Sequence, residues 1–380
     1  MSEKVRVGVL GCGTISLTGV LPHLTCDDAR EEVEIIAVSD VVAERAVGTA
    51  ERFGIPHAYT DASELLARTD IDLVLVLTPI PFHYELTLQA LKAGKHVYVQ
   101  KTMATTYDQA REMLEAASAG GLILSAAPGQ LIAPDLAKLR ALVAQGALGK
   151  IYWAWGSTGG WGHDFEPTRH GDDAMTSIDP SWYYREGGPV QDTTVYVLHT
   201  LTGILGPVHR VTGMSGTAID QQSWQGKPIP VTVHDNTLLL LDFGEVTFGV
   251  VGGHSAEVGR QVDWGSFGIY GSDGVAESLE IEPLTGWPKS LFLRSAEPLA
   301  ELGGASEGEY GLGPLRNLGD AHHDLPEPHV YADIMDTVGA IREHRPPQAS
   351  ATQAAHVVEI IEKGYEAARL GVTLQVDSSF

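Results

Sequence analysis

Gly11-x-Gly13-x-x-Ser16 is the first constellation able to do chemistry, because the apolar run Val5 to Leu10 ends at it and a helical stretch begins after it. In that setting the first glycine makes a tight turn and the second lets the backbone approach a pyrophosphate. The helix start presents its N–H groups and the positive end of its dipole. Thr14 and Ile15 complete the turn, and Ser16 replaces the usual third glycine while staying small enough for helix–strand packing. Asp40 closes the next apolar run, Glu34 to Ser39, where a carboxylate can accept hydrogen bonds from an adenosine ribose. Val41 and Val42 follow it with no arginine beside them, so the pattern points to NAD over NADP. The plainer alternative is an ordinary glycine-rich turn with Asp40 as a strand-end cap. Cys12 reads as a small packed residue, not a redox centre.

Two further strand exits carry polar groups. Thr78, Pro79 and His83 follow the run Asp72 to Thr78, and Gln100-Lys101-Thr102 follows Lys95 to Gln100. Ligands of open parallel sheets bind beyond the carboxyl ends of the strands, so Thr78, Pro79, His83, Gln100 and Lys101 are candidate cofactor contacts. A lysine ending a buried strand is unusual, and Lys101 would project to where a nicotinamide lies; the alternative is a surface lysine. Further on, Asp192, Tyr196 and His199 are spaced i, i+4, i+7 and would share one face of a helix from Val190 to Ile204. Taken singly, Asp192 reads as a helix-terminus carboxylate, Tyr196 as core and His199 as a satisfied buried histidine.

Eight of the 27 aromatic residues fall between Tyr152 and Tyr184, among His163, Asp164, Glu166, His170, Asp172 and Asp173. Aromatic faces beside hydrogen-bonding groups suit a sugar ring, with Trp161 and His163 as candidate substrate contacts; a subunit interface or a second core fits equally well. Neither this region nor His322-His323 with His329 shows a recognisable metal-ligand spacing, so no metal is expected.

The elements that must position these groups change in texture along the chain. Up to Ala126, uniformly apolar strands alternate with helices: Arg45 to Phe53 stopped by Gly54, His83 to Ala93 stopped by Gly94, and Tyr107 to Ala119. Strands without alternation imply a sheet covered on both faces, hence a doubly wound parallel sheet over residues 1–127. After Pro128 and one more helix, Asp135 to Gln145, strand-like runs dominate: Ile151 to Ser157, His209 to Met214, Asn236 to Asp242, Val246 to Val251 and Ser266 to Tyr270. Residues 128–380 therefore read as an α+β domain with a large, mostly antiparallel open-faced sheet. Gly159 to Ser181 and Gly303 to Pro328 are the least structured stretches, and Ser350 with Gln353 caps a final helix ended by Gly371.

Composition narrows the partners. Of 380 residues, 49 are Asp or Glu against 25 Lys or Arg, and the net charge of −24 disfavours nucleic acid or anionic membrane. Two cysteines make no disulfide framework, and neither a signal segment nor a membrane-length apolar run is present, so a cytoplasmic location is expected.

The segments GCGTIS, VSD ending at Asp40, TPIPFH, VQKT, GALGKI and GGPVQDTTVYVLH resemble the glucose–fructose oxidoreductase/inositol dehydrogenase/MocA family, from residue 5 to about 206. The resemblance implies a Rossmann domain followed by an open-faced sheet, and an NAD-dependent hydride transfer from a secondary hydroxyl of a sugar, glycoside or polyol. It implies that Lys101, in Gln100-Lys101-Thr102 where the family has Glu-Lys-Pro, receives or orients the hydroxyl proton. It further implies that Asp192 partners the lysine, that Tyr196 and His199 bind or relay protons from substrate hydroxyls, and that His329 on a terminal helix reaches the substrate. A homo-oligomer, dimer or tetramer, through the C-terminal sheet is expected. The competing expectation is a dinucleotide-sensing regulator that keeps the fold without turnover, motivated by the altered Glu-Lys-Pro motif.

Overall fold

Strands whose side chains are apolar on both faces need cover on both faces, and the first six strands obtain it by pairing in parallel. They are β1 (Val5–Leu10), β2 (Val33–Ser39), β3 (His57–Tyr59), β4 (Leu73–Val76), β5 (His96–Val99) and β6 (Leu124–Ala126). Their order is β3-β2-β1-β4-β5-β6, so the chain winds outward in opposite directions on the two sides of β1. The carboxyl ends of β1 and β4 therefore flank the switch point at which ligands of such sheets bind. The computed structural model describes residues 4–160, 162–255, 263–278, 290–311 and 318–380.

The helices of this sheet follow the expected boundaries within two residues: Ala43–Phe53, His83–Lys92 and Tyr107–Gly120. Thr106 caps the last of these by accepting from the Gln109 N–H. Strand β3 and the helix Ala62–Leu66 are too short to carry a periodic signal. Two compact units emerge, neither contiguous in sequence. The first comprises Met1–Ile132, Asp164–Pro180 and Asn317–Ala355; the second comprises Ala133–His163, Ser181–Arg316 and His356–Phe380. The late segment joins the first unit because helix Pro328–Glu343 puts Val330, Ile334 and Val338 into the same core cluster as Val7, Val9, Leu73 and Leu75. Each such side chain gains about 1.5–3 kcal/mol on burial.

The second unit is built on a nine-stranded sheet ordered β16-β15-β14-β13-β7-β12-β11-β8-β17. Its strands are β7 (Ile151–Gly159), β8 (Arg210–Gly216), β11 (Asn236–Asp242), β12 (Phe248–His254), β13 (Asp263–Gly271), β14 (Gly274–Ser278), β15 (Ser290–Leu299), β16 (Ala305–Gly311) and β17 (Leu374–Gln375). Between β8 and β11, β9 (Gln221–Trp224) and β10 (Lys227–Pro230) form a separate hairpin. All nine strands pair antiparallel except β7 with β12. Strand β16 gives regular structure to part of the stretch read as irregular from sequence. Thr237, Leu239 and Leu241 of β11 are buried, whereas Leu238 and Leu240 between them are exposed. Helix Val195–Leu205 covers the buried face so closely that a Cβ on Gly156 would overlap Val197. Among the described residues, no helix is long and apolar enough to cross a membrane.

Candidate cofactor and substrate sites

Beyond β1, Gly11 turns the chain with φ of 97°, and a Cβ there would lie 2.8 Å from the Leu77 carbonyl oxygen. Only glycine fits both constraints. At Gly13 an added Cβ would meet nothing within 4 Å, so open space lies against the backbone where a pyrophosphate must approach. Asp40 holds this loop, accepting the Cys12 N–H at 2.9 Å through one oxygen and the Val42 N–H at 2.9 Å through the other. Burial pushes the Cys12 thiol up to about 12, which keeps it neutral and unreactive. After Thr14 the chain enters the π-helical turn Ile15–Val20, in which Ile15 packs against the core cluster.

Among the described residues, the buried hydroxyls of Thr14, Ser16 and Thr78 have no hydrogen-bond partner. An orphaned buried polar group costs about 1–3 kcal/mol, so three beside one turn fit a ligand rich in hydrogen-bonding groups. NAD is such a ligand. Pro79 starts the turn Ile80–Phe82, and His83 follows it. The His83 ring reaches the Thr102 carbonyl at 2.8 Å and the Thr78 carbonyl at 2.7 Å, tying together the exits of β4 and β5. Both ring nitrogens thus face backbone, and burial, assisted by the Lys101 charge, holds the ring at about 4. Gln100 is buried and turns its side-chain oxygen back onto the Lys101 N–H at 2.9 Å. The peptide between Lys101 and Thr102 is cis. His329, at the start of helix Pro328–Glu343, lies within range of the Lys101 charge; burial first and Lys101 second hold it at about 3.

Residues 5–127 match the family model described as "Oxidoreductase family, NAD-binding Rossmann fold", and residues 136–277 match "GFO/IDH/MocA C-terminal domain". The chain belongs to the GFO/IDH/MocA oxidoreductase family. It is an NAD-binding oxidoreductase. Similar proteins include D-glucoside 3-dehydrogenase of Escherichia coli (strain K12), 36% identical over 40% of this chain and 42% of that one. The dTDP-3,4-didehydro-2,6-dideoxy-alpha-D-glucose 3-reductase of Streptomyces violaceoruber is 32% identical over 56% and 57%. The matches thus span roughly half the length of these relatives. The fold is shared with levoglucosan dehydrogenase in complex with NADH, at a TM-score of 0.81 and 20% identity, covering 99% of this chain and 100% of that one.

In the second unit of this family member, Asp192 does not lie on an uninterrupted α-helix. It sits in a π-helical turn, Val190–Thr194, that precedes helix Val195–Leu205. The wider turn changes the phase expected from the i, i+4, i+7 spacing. Its partner is His163, whose Nε2 lies 3.0 Å from Asp192 Oδ2. The His163 ring stands edge-on to Tyr183 with centroids 4.5 Å apart. Tyr183 and Tyr184 pack with Trp224, Ile229 and Val231, so this part of the aromatic stretch is a small second core. Tyr196 and His199 are both buried, and burial beside His356 holds His199 at about 3. Trp161 lies outside the described residues. One cofactor-side residue escaped the sequence: Arg45, whose guanidinium lies 3.5 Å from Asp40 and whose Nε donates to the Ala174 carbonyl at 3.1 Å. It is five residues beyond Asp40, outside the immediate flank that sequence inspection weighs.

Proposed function

We propose that this oxidoreductase transfers a hydride between NAD and a secondary hydroxyl of a sugar, glycoside or polyol. The observation that carries the proposal is Lys101, which follows β5 at the carboxyl edge of the parallel sheet, beside the exit of its neighbour β4, and whose charge acts on His329. NAD, when bound, supplies the hydride acceptor at its nicotinamide. Lys101, in its uncharged amine form, takes the hydroxyl proton and becomes an ammonium as the carbinol hydrogen leaves as hydride, so the alcohol loses two electrons and two hydrogens in balance. Asp192, by accepting from Nε2 of His163, orients that imidazole toward substrate hydroxyls, and Tyr196 contributes a further hydroxyl contact. His199 is assigned no proton step, because a ring held at about 3 stays neutral. The names of the similar glucoside and levoglucosan dehydrogenases support a carbohydrate as the substrate class. A screen of sugars, inositols and glycosides with NAD, followed by absorbance of the reduced cofactor, tests the proposal; no turnover across the screen would favour a dinucleotide sensor.

Asp40 is expected to favour NAD, since its carboxylate repels a 2′-phosphate. Asp40→Ala removes that repulsion and leaves Arg45 available to a phosphate, so the gap between NAD and NADP affinity should narrow. Calorimetric titration of both cofactors checks this, and tighter NADP binding by the unaltered protein would overturn it.

The second sheet suggests the assembly. Leu238, Leu240, Met214, Phe248 and Trp153 share one exposed face, set by the pairings Leu238 with Met214 and Phe248 with Trp153. An apolar face of this kind marks an association surface, and a second copy of the chain is its proposed partner. Leu238→Glu with Leu240→Glu should then lower the mass measured by light scattering; a monomeric unaltered protein would exclude the pairing.

A further inference from the structure

The segment Asp164–Pro180 belongs to the first unit, although it lies far along the chain from the parallel sheet. Its middle is a built turn. Asp173 accepts the Met175 and Thr176 N–H groups, both at 2.9 Å, and the Thr176 hydroxyl at 2.8 Å. The Gly171 N–H donates to the Thr176 carbonyl at 2.8 Å and closes the loop. A carboxylate that satisfies backbone donors of its own loop fixes the shape of that loop. Residues 171–177 thus form a strap, and it is seated on helix Ala43–Phe53, which starts just beyond Asp40. Met175 lies over Gly48, where an added Cβ would come within 2.8 Å of its Sδ, and the Thr49 hydroxyl donates to the same sulfur at 3.8 Å. The neighbouring Ala174 carbonyl accepts from Arg45 Nε at 3.1 Å. Residues 45, 48 and 49 share one helix face, so a single short strap can reach all three.

What the strap holds is decided on the other side of Arg45. The Nη1 of that residue is 3.5 Å from Asp40 Oδ1, and its side chain is only 18% exposed. A guanidinium grips phosphate with two parallel hydrogen bonds, and a 2′-phosphate is what separates NADP from NAD. To grip one, Arg45 would have to turn from Asp40 and strip the Ala174 carbonyl of the bond it now accepts. We propose that the strap is a specificity device: through Ala174 and Met175 it holds Arg45 against Asp40 and withholds it from a 2′-phosphate, so that the chain selects NAD. The inference rests on the reading of Asp40 as the ribose carboxylate and adds a second element to it. Asp40 repels the phosphate of the competitor, and the strap keeps the nearby cation from compensating. Arg45 is then the specificity-determining residue, and Met175 positions it through the Ala174 carbonyl.

The test is calorimetric titration of NAD and NADP into the full chain and its variants. Met175→Ala empties the seat over Gly48 and should raise NADP affinity about tenfold, the weight of one charge-assisted hydrogen bond, with NAD affinity within a few-fold. Met175→Leu has a similar volume and should keep the ratio of the unaltered protein. Asp173→Ala undoes the turn and should shift the ratio in the same direction as Met175→Ala. Adding Arg45→Ala to Met175→Ala should cancel the gain, because the guanidinium that takes the phosphate is gone. Asp40→Ala frees Arg45 at one end only, so adding Met175→Ala to it should narrow the gap between the cofactors further. That pair decides the matter if NADP binds the unaltered chain too weakly to measure. An unchanged ratio in both Met175→Ala and Asp173→Ala would overturn the proposal, as would an equal loss of both cofactors or a gain that survives without Arg45. NADP binding more tightly than NAD to the unaltered protein is a separate failure, which sinks the Asp40 reading and the selective role of the strap with it.

Discussion

Lys101→Met is expected to lower kcat by about 10²–10⁴-fold, the range lost with a general acid–base group, once a substrate is in hand. Methionine keeps an apolar stem of similar length and removes only the ammonium. NAD affinity should stay within a few-fold, because the tight turn at Gly11, the open approach at Gly13 and the hydroxyls of Thr14 and Ser16 are untouched. A second readout comes from the neighbours. The Lys101 charge helps to lower both His83 and His329, so NMR titration of the variant should show both rings moving upward, although burial keeps them below the ordinary value. Asp192→Asn should also lower kcat, and the double variant should lose less than the two single losses combined, as for residues serving one step. Full turnover in Lys101→Met would refute the catalytic assignment. Intact NAD binding with no substrate found for the unaltered protein would instead point to a sensor.

What was legible in the sequence was what neighbours in sequence decide. The glycine turn, Asp40 and the strand exits at Thr78 and Gln100 are read from runs of fewer than ten residues, and the structure places each at a strand end. The helix stop at Gly94 is equally local, with φ of 74°. The helix with Asp192 shows where such reading stops. Its spacing fits an α-helix, but Thr194 bonds to Thr158 at 2.8 Å, and Gly253 approaches Thr194 so closely that a Cβ would overlap its hydroxyl. Those contacts come from β7 and β12, and tertiary packing of this kind overrides local preference. The pairing of Asp192 with His163 is similarly hidden: His163 stands out in the sequence only for its aromatic surroundings, while the pairing itself spans 29 residues. The return of helix Pro328–Glu343 to the first sheet and the contact between His23 and His322 leave no compositional trace at all.

Asp333→Asn is expected to stabilise the protein at neutral and alkaline pH. Asp333 is fully buried on helix Pro328–Glu343, one turn beyond His329, where it accepts the Gly129 N–H at 3.1 Å and faces the Tyr98 hydroxyl at 3.4 Å. Burial outweighs these bonds and, with the nearby Asp336 charge, pushes the carboxyl up to about 8 from an ordinary value of 3.8. Between those two values the folded chain holds a proton that the unfolded chain has lost. The contribution of Asp333 is therefore fully present below pH 3.8 and falls as pH rises, by about 1.4 kcal/mol per unit, until its folded carboxyl ionises near pH 8. Asparagine keeps an oxygen for Gly129 and does not titrate. Relative to the unaltered protein, the variant should gain about 2–4 kcal/mol between pH 5 and pH 8, read as a widening gap in urea midpoints. Other carboxylates titrate in both proteins and cancel from the comparison. A gap equal at the two pH values would show that Asp333 ionises in the fold as it does in water, and that the helix bearing His329 is held against Gly129 by an anion instead of a neutral acid.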